Sequence, residues 1–227
     1  SRVLEEAMLR ATIPYRIYGG HRFFERAEIK NALAYLRLIC HRDDGAAVER
    51  VVNTPTRGLG DKSLERIRAL ARELKIPLWQ ASLQVLQHRE LATKAGNALK
   101  GFLALIEQLD QETRGVGLSE QTERVIAASG LIVFHQNEKD DRGEARVENL
   151  KELISATREF ETSLDQESAT LAAFLDHAAL EAGETQADEN EDSVQMMTLH
   201  AAKGLEFPIV FMAGVEEGLF PSMQSAD

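Results

Sequence analysis

Strand-like and helix-like patterns are segregated along the 227 residues of this chain. Short runs with strand character occur at residues 15–18 and, much later, at 194–199 and 207–213. Between residues 24 and 183, apolar residues recur at three- and four-residue steps, which is the spacing of amphipathic helices. Neither group of strands is large enough to close a sheet by itself. We therefore predict a mainly α chain, in which a helical block interrupts one α/β domain.

The helical block is predicted to build its core from apolar stripes on successive helices. The helices are expected near residues 28–40, 46–52, 62–74, 78–87, 92–112, 118–128, 146–161 and 170–181, after a first helix over 1–11. One stripe comprises Leu99, Phe102, Leu103, Ile106 and Leu109, and a second comprises Val147, Leu150, Ile154 and Phe160. We expect Trp79 and Phe174 to complete the same interior, because aromatic side chains contribute large buried areas.

Composition excludes several classes of protein. The content is 44% hydrophobic and 28% charged, which is typical of a globular domain rather than a disordered chain. No apolar run is long enough to cross a bilayer and residues 1–6 carry no signal-peptide pattern, so we expect a cytoplasmic protein without a membrane partner. Because Cys40 is the only cysteine, no disulfide is possible within the chain, and we expect a buried, inert thiol.

Charge is distributed unevenly along the chain, whose formal net charge is -11. Residues 50–75 contain seven basic and three acidic side chains, whereas residues 138–192 contain five basic and seventeen acidic ones. A local basic surface on an acidic body would suit a nucleic-acid partner. Ordinary solvated helix faces would account for the same counts.

The segment at residues 198–207 (TLHAAKGLEF) places polar side chains between two expected strands. Ligands of parallel α/β sheets bind outside the carboxyl ends of the strands. We therefore expect His200, Lys203 and Glu206 to project from such an end, where an imidazole, an ammonium and a carboxylate could contact a nucleotide or a nucleic acid. Without further information, His200 and Lys203 could equally be exposed loop residues.

A second candidate site lies at residues 51–67, where two helical segments flank a hairpin containing Pro55, Gly58 and Gly60. The glycines allow close approach of a partner to the backbone, and Leu59 is expected to anchor the turn. The next helix begins near residues 61–63 and offers unpaired amides suited to a phosphate oxygen. Helix-hairpin-helix elements bind the duplex backbone in this way. The alternative is a tight helix-helix turn without a ligand.

Several motifs occur in the same order as in one helicase family. They are residues 1–6 (SRVLEE), 13–20 (IPYRIYGG), 23–30 (FFERAEIK), 53–60 (NTPTRGLG), 178–183 (AALEAG), 198–207 and 216–221 (EEGLFP). Through them the whole chain resembles the UvrD/Rep/PcrA branch of superfamily 1 DNA helicases. The resemblance implies a second RecA-like motor domain, 2A, split by a helical subdomain, 2B. Residues 1–20 and 191–227 would be the motor pieces, and residues 21–190 would be 2B.

The resemblance also implies roles for individual residues. His200 would approach single-stranded DNA, Glu206 would contact the ribose of ATP, and Thr198 and Lys203 would couple the two sites. The 2B subdomain would hold duplex DNA through its hairpin. The residues that we expect to contact the duplex are Thr56, Arg57, Gly58, Gly60 and Lys62.

The activity implied is ATP-dependent, 3′-to-5′ unwinding of DNA in repair, with ATP and Mg²⁺ as cofactors of the full-length enzyme. No G-x-x-x-x-G-K-[ST] phosphate loop occurs in residues 1–227, so we expect a piece of a longer enzyme that binds no cofactor and hydrolyses no ATP alone. The same absence argues against a free-standing NTPase. The expected partners are duplex DNA, a 3′ single strand, repair proteins and, through exposed residues 209–212, a second copy of the chain.

A different class of function is compatible with the same residues. The helical block could be a regulatory or protein-interaction module that restrains the motor without binding DNA. Gly19-Gly20 and the acidic segment 184–192 would then serve as hinges. A steep salt dependence of duplex binding would favour the DNA-holding function.

Overall fold

The structure is a computed structural model, and it describes residues 2–18, 23–138, 141–163, 169–183 and 192–215. The chain divides into two compact units. The first comprises Ser1–Glu6 and His21–Thr185, and the second comprises Ala7–Gly20 and Gln186–Asp227. The hinges proposed at Gly19-Gly20 and 184–192 lie almost wholly outside the described residues, as does the motif at 216–221.

The second unit contains a small parallel sheet. Strand β1 (Tyr15–Tyr18) pairs with strand β2 (Val194–Met197) in the register Tyr15 to Val194 and Tyr18 to Met197. The amide of Val194 donates to the carbonyl of Pro14 at 2.9 Å and extends the pairing by one bond. Parallel strands need a crossover connection, and here the whole helical block lies in the chain between them.

The helical elements agree closely with the predicted ones. Each predicted helix has an observed counterpart whose ends differ by a few residues. The helices are α1 (Arg2–Arg10), α2 (Ala27–Cys40), α3 (Gly45–Val51), α4 (Asp61–Leu74), α5 (Leu78–Gln87), α6 (Thr93–Glu112), α7 (Leu118–Ser129), α8 (Leu131–Gln136), α9 (Asp141–Ser163), α10 (Leu171–Gly183) and α11 (Leu199–Ala202). A 3-10 turn occupies Phe23–Glu25. The described residues are thus mainly helical, which confirms the predicted fold class.

The core of the first unit is centred on α2, which buries nine of its fourteen residues. The predicted α6 stripe is buried throughout, and Trp79 on α5 packs beside it with its ring centroid 6.4 Å from that of Phe102. Phe174 on α10 is also fully buried and contacts Phe24 and Phe160 edge to face. Each fully buried side chain of this size contributes about 1.5–3 kcal/mol, so this interior is the main source of stability.

Two predictions are wrong. Residues 207–213 do not form a strand: among the described residues β1 and β2 pair only with each other, and this segment pairs with neither of them. Ile209 and Phe211 are 74% and 93% exposed, as expected for unpaired apolar residues. Cys40 ends α2 with an exposed rather than buried residue. Partial desolvation nevertheless raises the pKa of its thiol, and Asp110 adds to that effect.

Candidate nucleic-acid interface

The candidate duplex site is the hairpin at residues 52–60, which joins α3 to α4 in the first unit. Leu59, just before the start of α4, is only 2% exposed and belongs to the core cluster. Gly58 has φ of +86°, a conformation that other residues adopt only with strain. Leu59 therefore anchors this part of the hairpin in the core, and Gly58 allows the backbone to bend beside it. The predicted anchoring role of Leu59 agrees with this packing.

Asn53 stabilises the hairpin from inside. Its Oδ1 accepts hydrogen bonds from the amides of Arg57 at 2.8 Å and Leu59 at 3.2 Å. Its Nδ2 donates to the carbonyl of Leu59 at 2.8 Å. One side chain thus satisfies three backbone groups, which fixes the path of residues 53–59.

Arg57 lies differently from the other predicted contact residues. Its Nη1 donates to the carbonyls of Val51 at 2.9 Å and Pro55 at 3.1 Å. Its guanidinium also lies 5.3 Å from the centroid of the Phe102 ring. These contacts direct the cation toward the core and the end of α3. A DNA contact by Arg57 stays a prediction, whereas its contribution to the hairpin is evident in the structure.

Tyr35 on α2 completes this support. Its hydroxyl donates to the carbonyl of Thr54 at 2.7 Å and accepts a short hydrogen bond from Nη2 of Arg57. Burial raises the pKa of the Tyr35 phenol, although the Arg57 charge acts in the opposite direction. The phenol therefore stays neutral and keeps its donor for Thr54 at ordinary pH.

The outer side of the hairpin has free hydrogen-bonding groups. Within the described part of the chain, no hydrogen bond engages the amides of Gly58, Gly60 and Lys62. The carbonyl of Gly60, by contrast, accepts from Ser63 and Leu64 and so begins α4. Gly58, Gly60 and the side chains of Thr56 and Lys62 are exposed. The predicted residues other than Arg57 are therefore accessible, and amides and an ammonium of this kind can bind an anion.

Ion pairs neutralise much of the positive charge of the basic side chains in residues 50–75. Arg66 pairs with Glu90 at 2.6 Å, and Arg68 pairs with Glu49 at 2.7 Å. Arg72 donates to Glu65 at 2.6 Å, a hydrogen bond that lowers the pKa of the Glu65 carboxyl. No carboxylate in the described ranges pairs with Lys62. The basic count over residues 50–75 thus overstates the charge available to a partner.

The second candidate site follows β2 in the second unit. Helix α11 (Leu199–Ala202) begins directly after the strand and ends in a turn, where the amide of Leu205 donates to the carbonyl of Ala202 at 3.0 Å. Thr198, Lys203 and Glu206 are exposed. His200 lies on α11, and its side chain is outside the described part. These residues follow the carboxyl end of a parallel strand, where sheet ligands bind. Their roles stay predictions.

The structure brings the hairpin residues together by local chain folding, and the residues at 198–206 likewise form one contiguous segment. Two supporting residues, Asn53 and Tyr35, were missed. The spacing of Asn53 before Pro55 is a turn signal from which its role could have been predicted, because Asn side chains bond to the backbone a few residues on. Tyr35 is distant in sequence and has no such signal.

Comparison with known proteins defines the class. The chain matches the UvrD-like helicase C-terminal domain over residues 1–227, and it belongs to that family. It is 58% identical to DNA helicase II of Escherichia coli over 228 residues and to DNA helicase II of Haemophilus influenzae over 226 residues. It is 42% identical to ATP-dependent DNA helicase PcrA of Bacillus subtilis over 231 residues.

These alignments cover 99–100% of this chain but only 31–32% of each relative. The chain therefore spans about a third of the length of the curated relatives it matches. In the described ranges, no helix is long and apolar enough to cross a membrane.

Proposed function

We propose that the chain is part of an ATP-dependent DNA helicase, and that its helical unit holds duplex DNA through the hairpin at residues 52–60. The names of the relatives support the helicase class. The further elements of the proposal are 3′-to-5′ movement on a single strand, a role in DNA repair with repair-protein partners, and a cytoplasmic location.

The proposed duplex-holding function depends on one observation, which is that the fold has no steric need for glycine at position 60. Its backbone, with φ of -80° and ψ of 166°, is open to any residue, and a Cβ added there would meet nothing within 4 Å. The fold by itself therefore does not require glycine at this position. A partner that approaches the backbone closely does require it, and a phosphate bound by the neighbouring amides is such a partner.

The nucleotide would be contacted in the second unit. The exposed carboxylate of Glu206 fits a ribose hydroxyl, because it can accept a hydrogen bond there. In the whole enzyme, hydrolysis of ATP bound with Mg²⁺ would supply the free energy for movement. The described ranges contain no cluster of His, Cys, Asp or Glu that could hold a metal ion, and residues 1–227 contain no phosphate loop. We infer that the groups that bind the phosphates and the metal ion are supplied by other segments.

The Gly60→Ser variant tests the duplex-holding function. Serine is a favourable residue at a helix N-cap, so α4 should retain its stability while a side chain projects into the proposed phosphate site. We expect blunt-ended duplex DNA to bind about tenfold more weakly, which corresponds to about 1.4 kcal/mol. Fluorescence anisotropy at low salt measures the affinity, and two unrelated duplex sequences should bind equally well.

Gly101→Ser is the matched control, because Gly101 is an exposed residue inside α6 where an added Cβ also meets nothing within 4 Å. It should leave duplex binding unchanged. Unaltered affinity in Gly60→Ser would contradict the hairpin assignment. Failure of the unsubstituted chain to bind duplex at all would favour the protein-interaction module instead.

A further inference from the structure

Lys94 lies beside the hairpin although it is distant in sequence. It is in the first turn of α6 (Thr93–Glu112) and is exposed. Its Cε lies 3.6 Å from the position that a Cβ on Gly58 would take. The end of this lysine therefore reaches the same face of the molecule as the exposed glycines of the hairpin.

No acidic group among the described residues accounts for this position of the ammonium. Within the described ranges, no carboxylate pairs with Lys94, in contrast to the paired Arg66, Arg68 and Arg72 nearby. The first turn of α6 has no acidic residue, and the side chain of its N-cap, Ala92, has no atom that could accept from the helix amides. A cation in the first turn of a helix is unfavourable, because the amides there already carry partial positive charge. Lys94 is therefore expected to destabilise the start of its own helix.

Exposed residues that break such a local rule without a compensating contact are typical of functional positions. We propose that Lys94 binds a backbone phosphate of the same duplex that the hairpin holds, next to the phosphate bound by the amides of Gly58 and Gly60. This inference rests on the proposed function. It adds a second chain segment to the duplex surface, which then comprises the hairpin and the start of α6.

The chemistry of Lys94 defines what it can recognise. An ammonium on a flexible stem contacts phosphate as a point charge and does not read base edges in a fixed geometry. The contact should therefore be independent of sequence and sensitive to salt, since a bound phosphate releases its counterions. Arginine at the same position would retain the charge and the contact.

The test measures duplex binding by fluorescence anisotropy between about 50 and 200 mM salt. We expect Lys94→Gln to reduce the slope of log affinity against log salt by about 0.9, the value for one phosphate contact. Lys94→Arg should retain the slope. The melting temperature of Lys94→Gln should stay unchanged or rise, because a cation leaves the start of a helix. A purely structural role would move the melting temperature down instead.

Lys100→Gln is the matched control. Lys100 is exposed on the same helix, has no ion pair among the described residues, and gives the same change in net charge. The slope of log affinity against log salt for the Lys100→Gln variant should equal that of the unsubstituted chain. An unchanged slope in Lys94→Gln, with weaker binding in Gly60→Ser, would overturn the inference and leave the proposed function intact. Equal slope losses in Lys94→Gln and Lys100→Gln would also overturn it, and absence of duplex binding by the unsubstituted chain would overturn both.

Discussion

Individual side chains determine the shape of the hairpin as much as its glycines do. Asn53 bonds to the backbone within the hairpin, whereas Arg57 and Tyr35 join it to the core. A guanidinium can donate to several carbonyls at once because its donors are fixed in a plane. These contacts hold the exposed backbone of the hairpin in place from the side of the core.

Arg57→Lys is expected to destabilise the protein although the substitution retains the positive charge. A lysine cannot donate in the same planar arrangement, so the carbonyls of Val51 and Pro55 would lose partners. We expect the free energy of unfolding to fall by about 1–3 kcal/mol, as measured by urea titration. Arg72→Lys is the control, because Arg72 forms an exposed ion pair worth at most about 1 kcal/mol. Equal effects of the two substitutions would contradict the assigned role of Arg57.

Helix ends show how elements depend on one another. The N-cap of α7 is Gly117, which has no side chain to accept a hydrogen bond. Glu161 of α9 takes that place, since its carboxylate accepts from the amides of Leu118 at 3.0 Å and Ser119 at 3.3 Å. A Cβ on Gly117 would lie 2.5 Å from the Glu161 carboxylate, so glycine leaves room for it. The carboxylate also complements the partial positive charge at the start of α7.

Glu161→Ala should therefore destabilise α7 and its packing on α9. The two amides of α7 would lose their acceptor, and we expect a loss of about 1 kcal/mol, the usual effect of removing an N-cap. Thermal or urea unfolding followed by circular dichroism measures it. Glu123→Ala, at an exposed position in the middle of α7, should change stability far less. A loss of similar size in both variants would contradict the capping role of Glu161, because alanine itself favours the helix.

At the scale of the whole molecule, a polar network joins α2, α8 and α9. Arg146 donates to both carboxylate oxygens of Glu138, whose Oε1 also lies 3.0 Å from Nδ1 of buried His135. Asn149 donates to the buried carboxylate of Glu28 at 2.6 Å. Since buried polar groups are costly without partners, this network favours one relative arrangement of the three helices.

The network makes stability dependent on pH. Burial alone would raise the pKa of the Glu138 carboxyl, but hydrogen bonds from His135 and Arg146 outweigh it and lower that pKa below 4.5. A lowered pKa in the folded state means that the stabilisation is present above the unfolded value and is lost as pH falls. We expect the free energy of unfolding to decrease on acidification below about pH 4.5.

Urea titrations across this pH range measure the effect. The Glu138→Gln variant should be less stable at neutral pH and should lose less stability on acidification, because the titrating carboxyl is gone. Glu73→Gln alters an exposed carboxyl without an ion pair among the described residues, and it should retain the pH dependence of the unsubstituted chain. An unchanged pH dependence in Glu138→Gln would contradict the role given to the network.

The sequence by itself determined the longer helices and the two strands of the sheet, because spacing and turn residues act over a few neighbouring positions. It did not reveal two short helices: α8, whose six residues form an apolar run without a helical period, and α11, which occupies part of the segment expected to be a loop. It predicted a strand at 207–213 that the structure lacks, since strand formation depends on a partner strand as well as on apolar residues.

The candidate duplex site shows the same division. The sequence alone indicated Gly58, Gly60 and Lys62 as candidate contact residues, because they lie close together in the chain. Only the tertiary structure decided that Arg57 points toward the core and that Lys94 reaches the hairpin. Contacts between residues far apart in sequence depend on how the helices pack, and local residue patterns contain no information about those distances.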